Sequence, residues 1–133
     1  MPSLAQIRNR VDDWLADKWV NVIRPRQDAY FAAHNRYFQG LTTHNAVPDS
    51  GTDWAQVIPD NLGAKPSDQA ETWADVFPEI PDVPIDCAIA FDVYDGPQGK
   101  GFVGHVWAAR NGTIYHRAKG FGSEQRDQDW AEQ

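Results

Sequence analysis

Residues 85–120, IDCAIAFDVYDGPQGKGFVGHVWAARNGTIYHRAKG, decide the fold. Ile85, Cys87, Ile89, Phe91 and Val93 alternate with Asp86, Ala88, Ala90, Asp92 and Tyr94, the period of a strand with one buried face. The Gly- and Pro-rich link Asp95–Gly101 leads to a second strand, about Phe102–Arg110. Asn111-Gly112 is the strongest short hairpin signal, and a third strand follows from Thr113 to about Lys119. These residues predict a three-stranded antiparallel meander. GPQGKG is a poor phosphate loop: its glycine spacing differs from the P-loop pattern, and a strand rather than a helix follows it.

Upstream the period changes. Leu4, Ile7, Val11, Trp14, Leu15, Trp19 and Val22, then Ala29, Ala33 and Tyr37, recur every three or four residues, a helical stripe of about ten turns. Ser3 and Gln6 have the spacing of a capping box at its start. Pro25 lacks an amide proton and crowds the preceding turn, which predicts a kink, or a break near Arg24 with a second helix over about 26–38 and Gly40 as its C-cap. Within that end lies HNRYFQGLTTH, residues 34–44. Its YFQG resembles a protease-site scar but lacks the required glutamate, so it reads as native chain, and His34 and His44 have no recognised ligand spacing.

Residues 41–84 hold six of the nine prolines and read as an acidic connecting region of sparse regular structure. Ser67 with the acids after it predicts a short helix to about Val76. WAQVIP (54–59) and WADVFP (73–78) echo one another. Each reads as a Trp and a Val pinning a loop turn onto the domain, ended by Pro. The expected class is therefore α+β, one domain in three segments: a helical 1–40, a connecting 41–84 and a sheet unit 85–133. Trp130 is expected to dock a last helical turn.

Composition excludes several functions. Cys87 is the only cysteine, so an internal disulfide and a cysteine-based zinc site are excluded. On the apolar face of a strand its thiol reads as an inert small hydrophobe. No signal sequence or run of eighteen apolar residues occurs, which predicts a soluble chain made in the cytoplasm. Residues 1–40 carry a net +2, residues 41–86 a net −8 and residues 87–133 a net −1. That acidic middle argues against nucleic acid as a partner. No carboxylate pair stands out as an acid and base, and no cofactor or metal is expected.

A two-residue Asn-Gly loop pairs Arg110 with Thr113. Trp107 is then opposite His116 and His105 opposite Ala118, on one face. His105, Trp107 and His116 form a candidate ligand face, read as a sugar-stacking platform, the start of a metal site, or ordinary cross-strand packing.

The segments LAQIRNRVDDWLADKW (4–19), RYFQGLTTH (36–44), DNLGAKPSDQAETWADVFP (60–78) and DVYDGPQGKGFV (92–103) resemble a group of small uncharacterised tailed-bacteriophage proteins associated with virion and tail genes. The resemblance implies a virion structural protein of the tail, baseplate or fibre region, partnered by other virion proteins. A helix too long for three strands to cover also predicts an assembly surface of Ile7, Val11, Trp14, Leu15, Trp19 and Val22, and hence a homo-oligomer. The alternatives are a small glycan- or peptide-binding module and a host-directed effector or small hydrolase.

Overall fold

The structure, a computed structural model, describes residues 4–45, 52–78, 86–96, 99–110, 113–122 and 131–132. Helix α1 (Leu4–Lys18) passes through a π turn (Trp19–Ile23) into α2 (Arg24–His34). Of the two outcomes expected at Pro25, a kink or a break, the break does not occur, and the helix runs on through that turn. The Arg24 amide donates to the Trp19 carbonyl five residues back, so the wider turn admits the proline without ending the helix. Ser3, the proposed cap, lies outside the described residues.

The helix stops four residues short of the expected Phe38. Asn35 takes the left-handed conformation (φ 58°) that Gly40 was expected to take, and its amide donates to the Phe31 carbonyl. The cause is Gln27, whose buried side-chain amide donates to the Phe38 carbonyl at 2.9 Å and accepts from the Phe38 amide at 2.8 Å. Phe38 is thereby held as if in a strand pair, and the chain turns away from the helix axis. Lys100 closes the helix end by donating to the Asn35 carbonyl at 2.8 Å, which gives the lysine of GPQGKG a structural partner.

Five strands follow the order β1-β2-β3-β4-β5, all antiparallel: β1 (Gly40–Asn45), β2 (Asp86–Gly96), β3 (Gly99–Arg110), β4 (Thr113–Gly122) and β5 (Ala131–Glu132). The expected three-stranded meander is corrected by this sheet. Its central strands are the three predicted ones, but GLTTHN of the supposed connecting region is an added strand paired with β2, Gly40 opposite Phe91, and β5 pairs with β4. The expected docking of Trp130 lies outside the described residues.

The sheet is buried on both faces, not on one. Cys87, Ile89, Phe91, Phe102, Val106 and Tyr115 pack with Val11, Leu15, Trp19, Ile23, Tyr30, Tyr37, Phe38 and Phe77. Gly104 permits this contact, since a Cβ there would stand 3.2 Å from the Trp19 ring and 3.3 Å from that of Phe91. Phe91 stacks on Trp73 with centroids 5.3 Å apart and planes at 4°.

On the other face Ala88, Ala90, Trp107 and Ala109 lie under Trp54 and Ile58. The two echoed motifs form one-turn helices, α3 (Trp54–Val57) and α4 (Trp73–Val76), clamped to opposite faces of the sheet. Asp53 caps α3 by accepting from the Ala55 amide, and Thr72 and Asp75 form a capping box on α4. The predicted helix from Ser67 shortens to α4, because Gln69 exchanges hydrogen bonds with the backbone of Gln39 and donates to the Glu71 carbonyl.

Candidate functional site

The hairpin brings the predicted trio together in the expected register. Trp107 is opposite His116 and His105 opposite Ala118. His105 Nδ1 and His116 Nε2 are 3.0 Å apart, with ring centroids at 5.2 Å and planes 28° from parallel. That centroid separation is close to the N···N distance plus the two ring radii, so the nitrogens point at one another along an N–H···N bond. A metal ion bound by both would need the lone pairs to converge on a third point. This arrangement therefore holds a proton between two rings. Among the described residues no three metal-ligating side chains converge.

The sugar-platform reading meets a second obstacle. Trp107 is only 3% exposed, stacked on His116 at 4.6 Å and covered by the Trp54–Leu62 segment. Its ring face is core, so a sugar cannot lie on it.

Burial holds both imidazoles neutral. The His116 pKa is lowered to about 4, by burial first and by His105 second. His105 is lowered by burial against an opposing pull from Asp92. In the unfolded chain both rings take a proton near the ordinary value of 6.5, whereas the folded chain resists it. Their contribution to stability is thus complete above pH 6.5 and is lost as pH falls from 6.5 towards 4. The urea midpoint is expected to fall through that window, and His116→Gln to flatten the fall. An equally steep fall in the variant would contradict the assignment.

The predicted assembly residues are elsewhere than expected. Val11, Leu15 and Trp19 are buried against the chain's own sheet, and Trp14 and Val22 line a cavity of about 20 Å³ with Trp73, Phe77, Ile89 and Phe91. The side chain of Ile7 lies outside the described residues. The expectation that three strands leave this stripe bare fails because Tyr37, Phe38 and the Trp73–Phe77 turn enlarge the surface it packs on.

His34 and His44, paired in the sequence by proximity, point to different neighbourhoods. His34 is 3.3 Å from Glu71, which also accepts from the Tyr30 hydroxyl at 2.8 Å, while His44 in β1 is opposite Cys87. Glu71 is held below the usual carboxylate range, first by the Tyr30 hydrogen bond. The Cys87 thiol is raised to about 12 by burial and, secondarily, by Asp86, so it stays protonated at neutral pH.

Sequence reading missed the surface around β1. On one side a depression of about 500 Å³ is lined by Leu41, Thr43, Trp54, Ile58 and Asn61 among others. A second, of about 430 Å³, is lined by Gln39, Gly40, Leu41, Lys65 and Trp73 among others. Both have the size of binding clefts and share Leu41, which is 38% exposed. The available signals were the alternation within LTTH and the repeated Trp-Ala-x-Val-x-Pro motif. No helix among the described residues is long and apolar enough to cross a membrane. Compared with known proteins, the chain matches no family model, no curated protein and no solved structure.

Proposed function

We propose that the chain is a small structural protein of a tailed-bacteriophage particle, of the tail, baseplate or fibre region, made in the host cytoplasm and acting by binding neighbouring virion proteins. The observation that carries this reading is where the four resembling segments fall. Residues 4–19 supply the core residues Val11, Leu15 and Trp19. Residues 36–44 supply β1 and Gln39, whose side chain accepts from the Val93 amide at 3.0 Å and donates to the Ala64 carbonyl at 2.6 Å. Residues 60–78 form the turns that Gln39 grips, and residues 92–103 carry Lys100, which closes the helix. The residues of these segments thus hold together the frame around β1 and its two depressions.

Of the helix stripe, Val11, Leu15 and Trp19 lie in the core and Trp14 and Val22 pack partly buried against it, so these residues are engaged within the chain. The test is mass spectrometry of purified particles from the phage that encodes the chain. Recovery in fixed proportion to known virion proteins is expected. Particles containing none of it would contradict the reading.

A further inference from the structure

We propose that His105 and His116 form an acid-sensitive latch: while the two rings share one hydrogen bond, residues 54–62 stay closed over the sheet, and a second proton on the pair releases them. The inference is independent of the virion reading, since it rests only on the contacts of this sheet face. His105 Nδ1 and His116 Nε2 stand 3.0 Å apart in a part-buried site. At that distance one nitrogen carries the hydrogen and the other the lone pair. A first added proton leaves the bond intact, because an imidazolium still donates to a neutral imidazole. A second sets two N–H groups and two positive charges head to head, and the bond is lost.

The two rings also support what lies above them. His116 stacks on Trp107 at 4.6 Å and His105 at 5.5 Å, each with planes 14° apart. Trp107 in turn packs with Ala88, Ala90 and Ala109 under Trp54 and Ile58, with Val57 and Leu62 partly buried against them. Driving the imidazoles apart therefore disturbs the ring on which residues 54–62 rest. Apart from this apolar contact, little ties those residues down. The Ile58 amide donates to Trp54 and the Leu62 amide to Pro59, both within the segment, and only the next residue, Gly63, reaches the sheet, giving its amide to Asp92 at 2.7 Å. Helix α3 is a single turn, too short to hold itself. The chain beyond is anchored, because Gln39 donates to the Ala64 carbonyl at 2.6 Å, so the segment opens from that end.

The described charges on this face are acidic. By strand alternation β2 presents Asp86 and Asp92 to it, and the covering segment adds Asp60, with Asp53 at its start. β1 presents Leu41, Thr43 and Asn45, and β5 presents Ala131. The cations of β4 are on the helix side, Arg117 on Asp12 and Lys119 over the Trp19 ring, with Glu132 opposite Arg117. The acids ease the first proton, which leaves release to the second, for which the 3.0 Å contact has no room. Burial lowers the His105 pKa against the pull of Asp92, and burial first and His105 second lower that of His116 to about 4. Once released, both rings titrate near the ordinary 6.5, so closure is favoured above that pH and is lost as pH falls from 6.5 towards 4.

The experiment is hydrogen exchange of the full chain, followed by NMR from pH 7 to pH 4 and expressed as protection factors, so that the intrinsic pH dependence of exchange is removed. The probes are the Ile58 and Leu62 amides and the Trp54 indole N–H, which is buried without a hydrogen-bond partner. The controls are the amides of residues 11–23 and 87–91. Local release predicts probes about tenfold or more less protected than the controls and nearly insensitive to low urea, because little surface is exposed. Release takes up one to two protons, so probe protection is expected to fall by about tenfold to a hundredfold per pH unit below 6.5. His116→Gln keeps a hydrogen-bonding side chain that takes no charge, and should limit the fall to about tenfold per unit or less. His105→Gln should do the same, and provides a second variant if the first misfolds. Probes that match the controls in protection and urea dependence would overturn the proposal, since the acid response would then be global unfolding. So would probe protection that holds down to pH 4, or an undiminished fall in the variants, which would assign the response to Asp92 and the other acids.

Discussion

Replacing Gln27 with leucine is expected to destabilise the fold by about 2–6 kcal/mol, because it strands a buried amide and a buried carbonyl at about 1–3 kcal/mol each. Gln27 is fully buried, and its side chain satisfies both backbone groups of Phe38. Leucine matches its bulk closely enough that the expected loss is one of hydrogen bonds rather than of volume. The check is the urea midpoint, together with hydrogen exchange at Tyr37–Asn45, where protection should fall first. A shift no larger than about 0.5 kcal/mol, the size of an ordinary surface change, would show that the Gln27 bridge is dispensable.

The second large effect is expected at Phe91. Truncation to alanine removes a ring that touches Trp73, Phe77 and Phe102, and the typical loss for such a core change is about 3–5 kcal/mol. Its signature should be regional as well as global. Trp73 stacks on Phe91 and α4 is a single turn, so limited proteolysis should become faster within residues 72–78. Destabilisation without faster cleavage there would mean that α4 is held by its capping box and Arg26, which donates to the Val76 carbonyl, rather than by the sheet.

Much of the sheet was legible because its signals are local. Period-two burial and a two-residue Asn-Gly loop determine register once the loop length is known, and the observed pairing of Trp107 with His116 follows from it. The helical stripe was legible for the same reason. What covers the stripe was not, because burial on both faces of β2 depends on segments distant in sequence, such as Trp54 over Ala88 and Ala90. An alanine on a strand looks like solvent-side filler until a tryptophan is found above it.

The helix end was misread for a related reason. Gly40 has the residue type of a cap, yet Asn35 ends the helix because Gln27 holds Phe38 eleven residues away. Glutamine carries no periodic or turn signal, so the bridges of Gln27, Gln39 and Gln69 left no mark in the sequence pattern. The candidate site divides in the same way. The proximity of His105 and His116 came from register, while the burial that makes Trp107 a core residue came from the distant Trp54–Leu62 segment.

The apolar face of the helix at Val11, Leu15, Trp19 and Ile23 is satisfied within one chain. Hydrogen exchange measured across a dilution series, with the mass followed by light scattering, tests it most directly. Strong protection of amides in Val11–Ile23 is expected, unchanged at concentrations where the mass is that of the 15.0 kDa monomer. Protection in that stretch that disappears in step with dissociation of an oligomer would contradict it.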